Sequence, residues 1–302
     1  MSCPDCFRGG KAVGTPKGTI QTLHGVPTYI TEPATPSPSG STIIYYTDIF
    51  GLRLVNNKVL ADAYAASTGL RVLVPDIIPG GAASPTILPL MDKITTPVRW
   101  FDILGQISRA ISFVRAIAQA LPVMIRARPG SQACFASCLE YTRQIKADLP
   151  PGGKLGLAGF CWGGYPSLNL SAQPAVEGGS ERLVDAQFCA HPSFLKMPDH
   201  VVNAAVAFKT PIAIAFAEKD MAISMAKVDE TEAALRRKAG SGEGENGYFY
   251  ELRTYKRAAH GFAVRAKPGE EVESKAADEA VQQAVDWFKR WLRGQGIFYA
   301  IG

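Results

Sequence analysis

Lys154-Leu155-Gly156-Leu157-Ala158-Gly159-Phe160-Cys161-Trp162-Gly163-Gly164 decides how this chain is read. A buried apolar strand breaks into a glycine-flanked cysteine, and a helical pattern follows at once. The segment from Gly159 to Gly164 has the form of a nucleophile elbow, G-x-S-x-G, with sulfur in place of the serine oxygen. The glycines are required because so tight a strand-to-helix turn leaves no room for side chains where the two elements nearly touch. A cysteine at a helix N-terminus is also favoured as a thiolate, and the N–H of Trp162 is placed as an oxyanion donor. The other reading is a buried structural cysteine in a Gly-rich turn.

The partners of Cys161 discriminate between these readings. A nucleophile on such an elbow requires an acid after a later strand and a histidine after the next, in that order. Asp220 stands at the end of the run Pro211-Ile212-Ala213-Ile214-Ala215-Phe216-Ala217, and His260 follows the run from Tyr248 to Tyr255. Ligands bind at the carboxyl ends of strands in open α/β sheets, so the three groups are expected to converge there. Glu218, two residues before Asp220, is an alternative acid that strand alternation does not exclude. Of the remaining histidines, His24 is expected to precede the sheet, while His191 and His200 lie between elbow and acid. His191 is read either as a residue lining the site or as a loop residue with a structural hydrogen bond.

Outward from the elbow, strands are also expected at Ser41–Thr47 and Arg71–Pro75, with a helix over Asn57–Ser67 between them. A final helix over Ala276–Arg293 carries a stripe of Ala280, Val281, Ala284, Val285, Phe288 and Leu292. The alternation implies one α/β domain over 1–302: an open, mostly parallel sheet with helices on both faces. Residues 80–150 are too long for a single crossover and are read as a helical insertion. Within it Ile103, Ile107, Ile111 and Val114 form a stripe that covers the site, packs on the sheet or meets a second subunit, a homodimer being one outcome.

Composition excludes several classes. Hydrophobic residues are 47% and charged residues 20% of the chain, as in a globular enzyme. The net charge of +5 is spread among acids without a basic run, so no nucleic-acid partner is expected. The N-terminal segment lacks the apolar core of a secretory signal, so a cytoplasmic protein with mostly reduced cysteines is expected. The apolar stretch from Phe101 to Ile125 is interrupted by Asp102, Arg109 and Arg115 and reads as an amphipathic helix, with no membrane partner expected. Cys3 and Cys6, even with Cys134 and Cys138, make a weak metal set, and neither metal nor cofactor is expected. Asn169 begins a glycosylation sequon by pattern only and is expected to be unmodified.

With Cys161 in the elbow, Glu218-Lys219-Asp220 and His260-Gly261-Phe262 downstream, and Thr47-Asp48-Ile49-Phe50-Gly51 and Val74-Pro75-Asp76 upstream, the sequence resembles the dienelactone hydrolase family of α/β-hydrolases, particularly its fungal branch. The resemblance covers nearly the whole chain. It implies the α/β-hydrolase fold and a triad of Cys161, Asp220 and His260, with oxyanion N–H groups from Trp162 and Ile49. It also implies substrate-site roles for Asp48, Phe50, Arg265 and His191. Relatives carry glutamate where this chain has Asp48, one methylene shorter. The second substrate-gripping arginine of the bacterial enzymes has no counterpart after Pro75-Asp76, which argues against dienelactone itself. The resemblance therefore points to hydrolysis of a bulkier, less charged small-molecule ester or lactone, such as a secondary metabolite. Cyclisation, isomerisation or carbon–carbon cleavage at the same thiol, and a non-catalytic binding protein, are the alternatives.

Overall fold

The computed structural model describes residues 14–128, 132–266 and 270–293. The Cys3 and Cys6 pair lies outside them. The chain runs β1 (Thr19–Leu23), β2 (Val26–Thr31), β3 (Thr42–Tyr46), α1 (Val55–Thr68), β4 (Arg71–Pro75), α2 (Leu88–Thr95), α3 (Ile103–Arg126), α4 (Gln132–Ala147) and β5 (Leu155–Phe160). It continues through α5 (Gly164–Leu170), β6 (Ala186–Ala190), α6 (Asp199–Val206), β7 (Ile212–Lys219), α7 (Met225–Ala239), β8 (Tyr250–Ala259), α8 (Phe262–Arg265) and α9 (Glu271–Leu292). The strands form one sheet in the order β1-β2-β4-β3-β5-β6-β7-β8. All pairings from β4 through β8 are parallel, and β1 and β2 join as an antiparallel hairpin at one edge.

Side-chain size on alternate strand positions sets how closely the helices pack. Along β7, Ile212, Ile214 and Phe216 join Leu168, Val201 and Leu235 of α5, α6 and α7 on one face. Ala213, Ala215 and Ala217 join the larger core on the other, where α9 lies. Two strands away on β5, a Cβ on Gly156 would stand 2.6 Å from Leu292 Cδ1, so glycine there lets α9 close onto β5. The last helix begins at Glu271, one turn or more before the expected Ala276, and buries the expected stripe.

Three strands were not anticipated. β1 is largely exposed and β6 contains no β-branched residue, so neither shows the signature by which strands are recognised. The expectation that His24 precedes the sheet is corrected: it sits in the turn between β1 and β2, with Nε2 2.7 Å from Asp148 Oδ2. The long segment 80–150 holds α2, α3 and α4. Of these α4 packs against the sheet, burying Cys138, Tyr141 and Ile145 and hydrogen-bonding Tyr46 on β3 through Thr142 Oγ1 at 2.7 Å. α3 presents the stripe Ile103, Ile107, Ile111 and Val114 to solvent and buries Ser112, Ala116 and Val123 instead. Packing on the sheet is therefore excluded for that stripe.

Candidate active site

Six of the residues around the site sit just beyond the carboxyl end of a parallel strand: Asp48 after β3, Cys161 after β5, His191 and Ser193 after β6, Asp220 after β7 and His260 after β8; Arg265 ends the short α8 that follows. Cys161 adopts a φ of 50°, a left-handed conformation that costs a non-glycine residue about 1–3 kcal/mol. The neighbours hold it there. Gly163 N–H donates to Thr47 O at 3.0 Å and Ser193 N–H donates to Cys161 O at 2.9 Å. A Cβ on Gly163 would lie 2.2 Å from Tyr46 O, and one on Gly164 2.5 Å from Pro192 Cβ. The glycines thus permit the contact that fixes the cysteine.

His260 Nδ1 lies 2.9 and 3.0 Å from the two carboxylate oxygens of Asp220. Asp220 Oδ1 also accepts the N–H of Ala222 at 2.7 Å, which orients the acid. Glu218 is engaged elsewhere, accepting Arg257 N–H at 2.8 Å, so the choice between the two acids falls on Asp220. On the other side of the ring, Ser193 Oγ lies 3.4 Å from His260 Nε2 and 3.6 Å from Cys161 Sγ. From sequence Ser193 entered only as the end of His191-Pro192-Ser193, a stretch read as lining the site, with no role of its own. Its position after a parallel strand, between elbow and acid, was the available signal, but β6 itself went unrecognised.

The electrostatics favour a charged thiol–imidazole pair. Burial pushes the Cys161 thiol up, but the charge of His260 and a hydrogen bond with it outweigh this, so the thiol lies below its ordinary value. Burial would lower His260. The Cys161 thiolate and hydrogen bonds with Asp220 and Cys161 overcome that and carry it up to about 10. A thiol lowered and an imidazole raised by one another are stable together as thiolate and imidazolium.

Asp48, Phe50 and His191 are at most 2% exposed, which sets them behind the site. Asp48 Oδ1 accepts from Asn57 Nδ2 at 2.9 Å and from Phe50 N–H at 3.0 Å. Its Oδ2 faces Arg265 Nε at 3.7 Å. Burial raises the Asp48 carboxyl against the opposing pull of Arg265, Asn57, the Phe50 N–H and His260. The Arg265 guanidinium lies over the Phe50 ring, 5.5 Å from its centroid, so Phe50 and Asp48 together hold the arginine. His191 packs edge-on against His260 with centroids 5.1 Å apart. Burial and the charges of His260 and Arg265 keep it far below its ordinary value and hence neutral. Trp162 is also buried, its indole N–H donating to Ala127 O at 2.8 Å beyond α3. Among the described residues Cys134, Cys138, Cys161 and Cys189 form no disulfide, and no His, Cys, Asp and Glu cluster is arranged to hold a metal.

Residues 26–292 match the family described as the Dienelactone hydrolase family. Among curated proteins, "Dienlactone hydrolase 1" of Gibberella moniliformis is 26% identical, the match covering 95% of this chain and 93% of that protein. "Hydrolase tropI" of Talaromyces stipitatus is 28% identical, with 97% of each chain covered. Among solved structures, an esterase from Thermogutta terrifontis superposes with a TM-score of 0.54 at 14% identity, covering 93% of this chain and 97% of that one; this likeness bears on the fold alone.

Proposed function

The chain belongs to the dienelactone hydrolase family, and from that premise we propose that it hydrolyses a small-molecule ester or lactone through a thioester at Cys161. The family supports the reaction class. The observation that carries the nucleophile is the connected run of side chains from Cys161 through Ser193 and His260 to Asp220.

In this reading the Cys161 thiolate attacks the carbonyl carbon, and the developing oxyanion is received by the N–H groups of Trp162 and Ile49. His260, oriented by Asp220, gives its proton to the leaving oxygen. It then takes a proton from water, which attacks the thioester, releases the carboxylic acid and regenerates the thiolate. No cofactor enters. Arg265, held by Asp48 and Phe50, is the cation that would attract an acidic or carbonyl portion of the substrate. The lack of a second arginine after Pro75-Asp76 favours a bulky, relatively apolar substrate, for which a secondary metabolite is a suitable class.

Turnover in heavy-oxygen water tests the reaction. Hydrolysis places one solvent oxygen in the acid product. A product formed at full rate without solvent oxygen would overturn hydrolysis in favour of cyclisation, isomerisation or carbon–carbon cleavage by the same thiol.

A further inference from the structure

Helix α3 reverses the usual orientation of an amphipathic helix. Twelve of the seventeen large hydrophobic side chains exposed among the described residues lie between Trp100 and Ile125. Ile103, Ile107, Ile111, Val114, Leu121 and Ile125 recur at helical spacing on one face, with Ile103 at 71% and Val114 at 65% exposure. The opposite face, which meets the protein, is built of small residues such as Ser112 and Ala116. At 24 residues the helix is about 36 Å long. A contiguous exposed apolar strip of this length marks a contact with something besides water.

Charge selects the occupant. From Arg99 to Arg128 the charged residues are Arg99, Arg109, Arg115, Arg126 and Arg128, all exposed, with Asp102 as the lone acid. Asp102 is engaged as the helix cap, accepting Gly105 N–H at 2.9 Å. A second copy docking stripe to stripe would bring arginines together without acids to receive them. An anionic lipid surface supplies the counter-charge, and exposed Trp100 and Phe101 at the start of the helix suit the headgroup boundary. The helix is long and apolar enough to cross a membrane, but its small-residue face is buried against the protein and its exit is tied to the elbow through Trp162 and Ala127. Such a helix lies along a bilayer and does not cross it.

We propose that α3 is a peripheral membrane-binding element: its isoleucine stripe enters the outer part of an anionic lipid bilayer while its arginines pair with lipid phosphates. This modifies the expectation of no membrane partner and is independent of the reaction at Cys161.

The test is co-sedimentation of the full chain with phosphatidylcholine vesicles, with and without phosphatidylserine. Binding is expected to the mixed vesicles, to weaken with added salt, and to shift Trp100 emission to the blue in the unaltered protein. Arg109→Ser and Arg115→Ser should each weaken it about fivefold. Ile111→Glu with Val114→Glu should abolish it while the thermal melt is retained. Equal binding to both vesicles, or to neither, would overturn the proposal. So would a dimer by light scattering that Ile111→Glu converts to monomer, since the stripe would then belong to a second copy.

Discussion

The elbow and helix α3 both rely on small residues to bring chain segments into close contact, with opposite consequences. At the elbow, Gly163 lets the turn approach Tyr46 O, and the gain is one thiol side chain, that of Cys161, fixed in a strained conformation. Along α3, Ser112 and Ala116 let the helix lie close to its neighbours, and the result is a row of large side chains facing outward. Close packing by small residues thus serves position in one place and surface presentation in the other. It follows that the elbow should be sensitive to chemistry and α3 to bulk.

The largest effect should come at the nucleophile. Cys161→Ala should reduce hydrolysis of an activated aryl ester by about ten-thousand-fold or more, measured as kcat/KM, because the proposed reaction passes through a thioester at this residue. His260→Ala removes the two largest influences that hold the thiol down, leaving burial and the Asp48 charge to raise it against the Ser193 hydrogen bond alone. Alkylation of Cys161 by iodoacetamide at neutral pH should then slow about tenfold or more, each pKa unit being a factor of ten in thiolate. The pH sense is also fixed. Imidazolium at His260 persists to about 10, so rapid labelling should be kept from neutral pH upward and decline as acid protonates the thiolate.

Stability sharpens the contrast further. Gly163→Ala, pressed against the Tyr46 carbonyl, and Ala116→Leu, on the buried face of α3, should each lower the unfolding free energy by about 1–3 kcal/mol in urea titrations. Ile111→Ser, on the outer face of the same helix, should change it by no more than about 0.5 kcal/mol. If Ile111→Ser were as costly as Ala116→Leu, the orientation assigned to α3 would be wrong.

The same two regions explain what the sequence reveals. The elbow was legible because Gly159, Gly163 and Gly164 are demanded by local backbone geometry, and the order of Cys161, Asp220 and His260 follows from where parallel strands end. The choice between Asp220 and Glu218 was not legible, since it depends on the Arg257 N–H of β8 donating to Glu218 while His260 Nδ1 pairs with Asp220. Ser193 was hidden because β6, Ala-Gln-Phe-Cys-Ala, lacks strand-forming character and is held by its neighbours. The α3 stripe was visible as periodicity, but period gives the phase of a face and not what it faces. Asp48 and Phe50 were named from sequence as candidate site residues, and their burial beside Arg265 appears only once the chain is folded.

The central claim is that Cys161 carries the acyl group. Rapid acid quenching of the enzyme during turnover of an activated ester, followed by peptide mass spectrometry, tests it most directly. The account predicts the acyl mass on the peptide containing Cys161, formed and lost at rates compatible with turnover. Full turnover with Cys161 unmodified, and retained in Cys161→Ala, would contradict it.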